Sequence, residues 1–440
     1  MQSLNLKLKE DNKLKRIFSF LLLLMVIASV FAGCAEEEVI EIEYAEATTS
    51  IDYSKYKGVE LSVYNWGYYI SDGSDGSIDV NEEFERLTGI KIVYDNYDSN
   101  ESLYAKLAGG GADYDIVIPS DYMVGRLIDE GMLVELNFDN IPNYKNIDDK
   151  YKNTEYDPEN KYSVPYNVGM VGVIYNSKHV EGTPTSWSLL WDERYSGKIL
   201  NFNNSRDAFA IAQFYNGIDI NTTNNNDWDV AYKSLAEQKE VLQSYVMDEV
   251  FNKMESGEAA VAPYYAGDFF TMYSNNEDLA FYYPEEGTNL FIDAVCVLKN
   301  SKHKSEEEAL LYKEAAELYI NFLLDPAIGI ANAEYMYYAS PNKEVVKDEG
   351  YLEFLSELHP NAYEILYESA KDVKTQSFVN LPDETKAYMA DKWTALGATI
   401  TENSSNNSVY YICLVLIVVI LALFASNKIT KYRREKVDYE

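Results

Sequence analysis

Only three cysteines and three histidines occur in 440 residues, and each scarcity removes a class of chemistry. Cys34, Cys296 and Cys413 leave no pair within the folded body. No internal disulfide framework is available, so the fold must rest on its core. His179, His303 and His359 sit in charged or polar settings, none at ligand spacing from another, which argues against a zinc site or a His-based triad. Basic charge is short as well: 37 Lys and Arg stand against 72 Asp and Glu, a net charge of −35. Nucleic-acid binding depends on basic surface, so a polyanion is a poor partner for it. Acidic surface keeps a protein soluble and tolerates or attracts cations. No short internal repeat occurs. The "GGG" at 109–111 precedes a strand and does not open a helix, so it reads as a helix stop with a turn, not a phosphate loop. Carboxylates are plentiful, yet no spacing among them points to a glycosidase pair.

Long hydrophobic runs occur only near the two ends. Lys7, Lys9, Lys13, Lys15 and Arg16 precede the apolar run 17–31, and Ala32-Gly33-Cys34 follows, the order of a signal peptide. The small pair before Cys34 resembles a lipobox, which implies cleavage after 33 and lipidation of Cys34; Phe31 departs from the aliphatic residue usual there. The acidic stretch 34–57 reads as a flexible tether. The uncharged segment 409–425 is at the short limit for a transmembrane helix, with the linker "ENSSNNS" before it and the basic tail 426–440 after it. Positive flanks mark the cytoplasmic side, so the expected topology holds both ends at the membrane with the body on the extracytoplasmic side.

Between about 58 and 400 short strands alternate with helices. "VELSVYNW" and "IKIVYDNY" are strand-like, and "DVNEEFERLTG" between them puts Phe84 and Leu87 on one helical face before a stop at Gly89. "ESLYAKLAGGG" is a second helix and "YDIVIPS" a third strand. This βαβαβ order predicts an α/β fold with a mostly parallel sheet. "SEEEALLYKEAAELYINFLLDP" predicts a long helix opened by a Ser305/Glu308 capping box and closed near Pro326. Two such lobes would bind ligands where strands end and loops converge. Trp66, Tyr68 and Tyr69 lie where the first strand runs out.

The phrases "YNWGYYI", "YDNYDSNESLYAKL", "YDIVIPSDYMV", "YSVPYNVG", "TSWSLLWDERYSGKI", "NNSRDAFAIA", "GTNLFIDAVCV", "INFLLDPAIGIANAEY" and "YYASPN" occur in order over 58–400. Together they resemble the extracytoplasmic spermidine/putrescine-binding proteins of ABC transporters. The resemblance implies the two-lobed type II periplasmic-binding-protein fold, with 58–170 and 292–345 in one lobe and 171–291 and 346–400 in the other. It implies no catalysis and no cofactor, a polyamine ligand, and a permease with its ATPase as partners. Carried over position by position, Trp66 and Tyr69 would form aromatic walls, with Ser120 and Tyr122 beside them. Asp207 would face an amine, while Asn204 stands where spermidine binders often have aspartate. Tyr265 and Phe291 replace tryptophans, Asp268 matches the putrescine-preferring branch, Asp293 keeps the family's carboxylate, and Tyr338 completes the box. The late glutamine contact falls near Phe378, two places from Gln376, and is not carried over. The competing readings are a site for another small organic solute and an extracellular sensor domain.

The residue mix suits a polyamine on physical grounds. A buried ammonium needs a paired carboxylate, because an uncompensated buried charge costs several kcal/mol. Ring faces take both parts of the chain: each buried methylene contributes about 0.8 kcal/mol, and a desolvated cation–π contact about 2 kcal/mol.

Overall fold

The first βαβαβ unit forms where the pattern places it. The computed structural model describes residues 42–110, 113–299, 302–303 and 305–397. Strand β1 (Glu60–Trp66) pairs in parallel with β2 (Lys91–Tyr97) and β3 (Ile116–Val117). The helix Val80–Thr88 between β1 and β2 starts at Asp79, whose side chain accepts from the Glu82 N–H, and stops at Gly89 in the left-handed region at φ 73°. Its Phe84 is fully buried. The helix Asn100–Ala108 opens with a reciprocal Ser99/Ser102 cap.

The sheet is mixed, and the reason is two long strands. β4 (Ser163–Asn176) and β9 (Thr288–Val297) pair antiparallel from Ser163↔Cys296 to Met170↔Leu290. Beyond Met170, β4 leaves β9 and pairs with β7 (Val261–Tyr265) and β8 (Leu279–Tyr282). The strand order is β2-β1-β3-β9-β4-β7-β5-β6, with β5 at Ile199–Phe202 and β6 at Leu242–Val246; β10 (Thr375–Gln376) joins β9. The mostly parallel sheet expected from sequence is thus corrected, because the strands that cross between lobes run against their neighbours.

Two cores flank this crossing. One gathers Leu61, Val63, Phe84, Ile116, Tyr319 and Phe322; the other gathers Ile174, Trp187, Phe202, Val261, Phe269 and Phe270. Each such side chain taken from water contributes about 1.5–3 kcal/mol. The only free cysteine among the described residues, Cys296, is a buried packing residue in β9. Ser305 caps the helix Glu306–Leu323 by accepting from Glu308 N–H at 3.0 Å. Pro326, expected to close that helix, instead opens the next one, Pro326–Met336.

The stretch 34–57 expected as a tether is corrected over its described part. From Tyr44 onward the chain packs on the first lobe: Thr48 is fully buried and donates to Asp325 Oδ2 at 2.6 Å, and the Tyr53 and Tyr56 rings join the core. Acidic composition concealed this, because the anchoring residues are two tyrosines and a threonine spaced among the charges. The leader 1–33, Cys34, the linker 401–408, the segment 409–425 and the tail 426–440 lie outside the described residues. No helix among the described residues is long and apolar enough to cross a membrane. The expected fold is corrected on that point: the described residues form the two-lobed α/β body, with no transmembrane helix among them.

Candidate functional site

The site is built on strand ends and helix starts from both lobes. Ser120 leads into the helix Asp121–Asp129 and forms a bridge with Asp293 of β9. Asp207 lies in the first turn of the helix Ser205–Tyr215, behind the N-cap Asn204. Tyr265 ends β7, and Asp268 lies in the first turn of the following helix, Ala266–Asn275.

Three carboxylates each accept a tyrosine hydroxyl. Tyr69 donates to Asp293 Oδ2 at 2.5 Å, Tyr338 to Asp268 Oδ2 at 2.9 Å, and Tyr265 to Asp207 Oδ2 at 2.8 Å. The rings touch in turn. Tyr69 meets Tyr338 edge-on at 5.3 Å, Tyr338 lies 6.3 Å from Phe291, and Phe291 meets Tyr265 edge-on at 5.4 Å. Two glycines make room for them. A Cβ at Gly169 would lie 2.3 Å from Phe291 Cζ, and one at Gly267 would lie 2.6 Å from Tyr338 Cδ2. Tyr69, Ser120, Asp207, Tyr265, Asp268, Phe291, Asp293 and Tyr338 are thereby brought into one continuous cluster. Outside this run of contacts, Trp66 packs on Tyr97 with centroids 4.5 Å apart, and Tyr122 meets Phe378 at 5.8 Å.

Desolvation sets the electrostatics. Burial pushes the Asp293 carboxyl up to about 6, against the lowering effect of the Tyr69 and Ser120 hydroxyls. Asp207 is likewise raised to about 6 despite Tyr265 and Asn204. Asp268 reaches about 7, opposed by the Tyr338 hydroxyl. Asp268 keeps part of its surface open, so its shift is the one most sensitive to water entering the cleft. Asp293 is 3% exposed, and its Oδ1 has no hydrogen-bond partner among the described residues. A buried acceptor left open costs about 1–3 kcal/mol, more when charged. Three raised, tyrosine-held carboxylates can bind cationic groups and exclude anions. No group of three or more His, Cys, Asp or Glu among the described residues is arranged to hold a metal.

Sequence reasoning missed two charged residues at this cleft, Asp121 and Arg206. Both are buried, at 1% and 4% exposure. Asp121 Oδ2 and Arg206 Nε and Nη1 lack partners among the described residues. Each adjoins a selected residue in sequence, Ser120 and Asp207, and a charged residue at a helix start ordinarily reads as solvated. Gln376, two places from Phe378, is engaged elsewhere: its Oε1 accepts from Ile220 N–H at 3.1 Å.

Comparison with known proteins agrees with this architecture. The family model described as bacterial extracellular solute-binding protein matches residues 114–353. The spermidine/putrescine-binding periplasmic protein of Salmonella typhimurium is 33% identical over 285 residues, covering 64% of this chain and 77% of that protein. The Escherichia coli putrescine-binding periplasmic protein PotF is 29% identical, covering 64% of this chain and 78% of its own length. The solved structure of the spermidine/putrescine ABC transporter substrate-binding protein PotD of Streptococcus pneumoniae superposes with a TM-score of 0.63 at 28% identity. It covers 78% of this chain and 99% of that one. This chain is a solute-binding protein, not an enzyme, and belongs to the bacterial extracellular solute-binding protein family, among the relatives of the spermidine/putrescine-binding proteins.

Proposed function

We propose that the protein captures a polyamine, putrescine or spermidine, between its lobes and delivers it to the permease of an ABC importer driven by a cytoplasmic ATPase. The observation that carries this reading is Asp293, a buried carboxylate with one oxygen held by Tyr69 and the other open. An ammonium group supplies the missing donors and the compensating charge together. Tyr69, Tyr338, Phe291 and Tyr265 offer ring surface for the methylenes, and Asp207 and Asp268 take further ammonium groups. Trp66, Ser120 and Tyr122 complete the walls. Charge pattern supports putrescine over spermidine: Asp268 and Asp293 are linked through the Tyr338–Tyr69 contact and serve one end, while Asp207 serves the other.

The binding body works on the extracytoplasmic side, and the lipobox at 32–34 supports a lipid on Cys34 as its anchor. Mass spectrometry of the purified protein, with Cys34→Ser as control, tests the lipid. Titration calorimetry against putrescine, spermidine, betaine, amino acids and sugars tests the ligand class. Saturable heat with a polyamine alone is expected. A response to sugars or amino acids with none to polyamines overturns the reading.

A further inference from the structure

The helix Asp121–Asp129 starts at the candidate site and ends at a contact that the site does not use. Ser120, bridged to Asp293 of β9, leads straight into it. Its Met123, Val124 and Leu127 pack with Tyr64, Leu103 and Val117 of the first lobe. The segment 377–381 is built into the second lobe. Phe378 joins the core of Phe202 and Val261, and Leu381 that of Phe209 and Trp228. Ser377 donates to Leu290 O at 2.7 Å, and Val379 N–H to Asn221 Oδ1 at 3.1 Å. The Arg206 guanidinium carbon lies 4.4 Å from the Phe378 ring centre.

Two contacts join these pieces. The Tyr122 ring meets Phe378 edge-on with centroids 5.8 Å apart, and Tyr122 packs against the cores of both lobes. About two turns further along the helix, Asp129 Oδ2 accepts from Asn380 Nδ2 at 2.9 Å, while Asn380 Oδ1 accepts from Lys386 Nζ at 3.2 Å. Gly125 lies between them. A Cβ there would sit 3.9 Å from Asn380 Cβ and 3.5 Å from Tyr156 Cβ, so helix and segment come within one side chain of each other.

We propose that the segment 378–380 is a latch that holds the helix Asp121–Asp129 across the cleft and sets how slowly a bound solute leaves, with Phe378 and Asn380 as its positioning residues. This rests on the cleft being the solute site proposed above. One helix carries both functions: Ser120 at its start meets Asp293, and Tyr122 and Asp129 meet the latch. Helix and segment are packed in different cores, so parting the lobes breaks both contacts. An aromatic edge contact and a hydrogen bond to a carboxylate each oppose that parting. Phe378 and Asn380 are not among the solute walls, so the latch acts on release more than on capture.

Gly125→Cys combined with Asn380→Cys tests this. The Cβ separation of 3.9 Å suits a disulfide, whose Cβ atoms lie about 3.5–4.5 Å apart. Loaded with putrescine and then oxidised, the double variant should release it at least about tenfold more slowly than wild type in stopped flow. Reduced, it lacks the Asn380–Asp129 bond and should release putrescine about fivefold faster than wild type, with little change in the on-rate. Each single variant is the control for oxidation. Equal release rates from the oxidised and reduced forms, or no disulfide in the loaded protein, overturn the latch. If the double variant fails to fold, Asn380→Ala and Asp129→Ala decide. A combined change in off-rate smaller than the product of the single changes supports the latch, and one equal to that product overturns it. If the wild type binds no polyamine, the proposed function fails instead. The latch is then read by small-angle scattering of the ligand-free Gly125→Cys, Asn380→Cys protein: a smaller radius of gyration when oxidised than when reduced supports it, and equal radii overturn it.

Discussion

Asp293→Asn should weaken polyamine binding and strengthen the empty protein, two effects of opposite sign from one substitution. Asp293 is 3% exposed, accepts from Tyr69 at 2.5 Å, and has an open Oδ1. With ligand present, the amide keeps the acceptor for Tyr69 but loses the charge. Truncating one partner of a buried charge pair costs about 2–5 kcal/mol, and 1.4 kcal/mol is about tenfold, so the Kd should rise at least about 30-fold. Without ligand the sign reverses. The folded carboxyl sits at about 6 against an ordinary 3.8, so the native state binds the extra proton between those values. That stability is fully present below about 4 and lost as pH rises through 6. At pH 7.5 the ionised group therefore destabilises the fold by on the order of 3 kcal/mol, and neutral asparagine removes that cost. Calorimetry gives the Kd and a ligand-free thermal melt gives the stability. A Kd within twofold of wild type, or a ligand-free melting temperature that falls, refutes the reasoning.

Three further outcomes follow from the same cluster. Polyamine affinity should weaken at least about tenfold from pH 8 to pH 5.5, because Asp268 at about 7 and Asp207 and Asp293 at about 6 must shed protons to pair with ammonium groups; a flat profile by calorimetry contradicts it. Asn204→Asp replaces an amide that donates to Asp207 with a second carboxylate, so competition binding should show spermidine gaining on putrescine, and an equal effect on both defeats the charge assignment. Gly169→Ala puts a methyl 2.3 Å from Phe291 Cζ. Overpacking of this kind costs about 1–3 kcal/mol, so both the melting temperature and the affinity should drop, and an unchanged pair of values removes Phe291 from the wall.

The early part of the fold was readable because its signals are local. Phe84 and Leu87 mark a helical face, Gly89 stops it, and Ser99 caps the next helix. The crossing was not readable. "SVPYNVGMVGVIYN" is buried along nearly its whole length, so nothing in its pattern marks Met170 as the point where it leaves one partner strand for others. The candidate site residues were reached through resemblance; their pairing was not. Tyr69 and Asp293 are 224 positions apart, and with 39 tyrosines in the chain no spacing singles out the three that hold carboxylates. Asp121 and Arg206 were passed over because a charge is expected to seek water, and only the packed lobes show that these two do not.

The central claim is that an ammonium group completes Asp293, and a crystal structure of the putrescine complex tests it most directly. The account predicts one terminal nitrogen within hydrogen-bonding distance of Asp293 Oδ1, the methylenes against Tyr338 and Phe291, and the other nitrogen at Asp207. A putrescine bound outside the cleft, or one in the cleft with Asp293 Oδ1 still unpartnered, contradicts it.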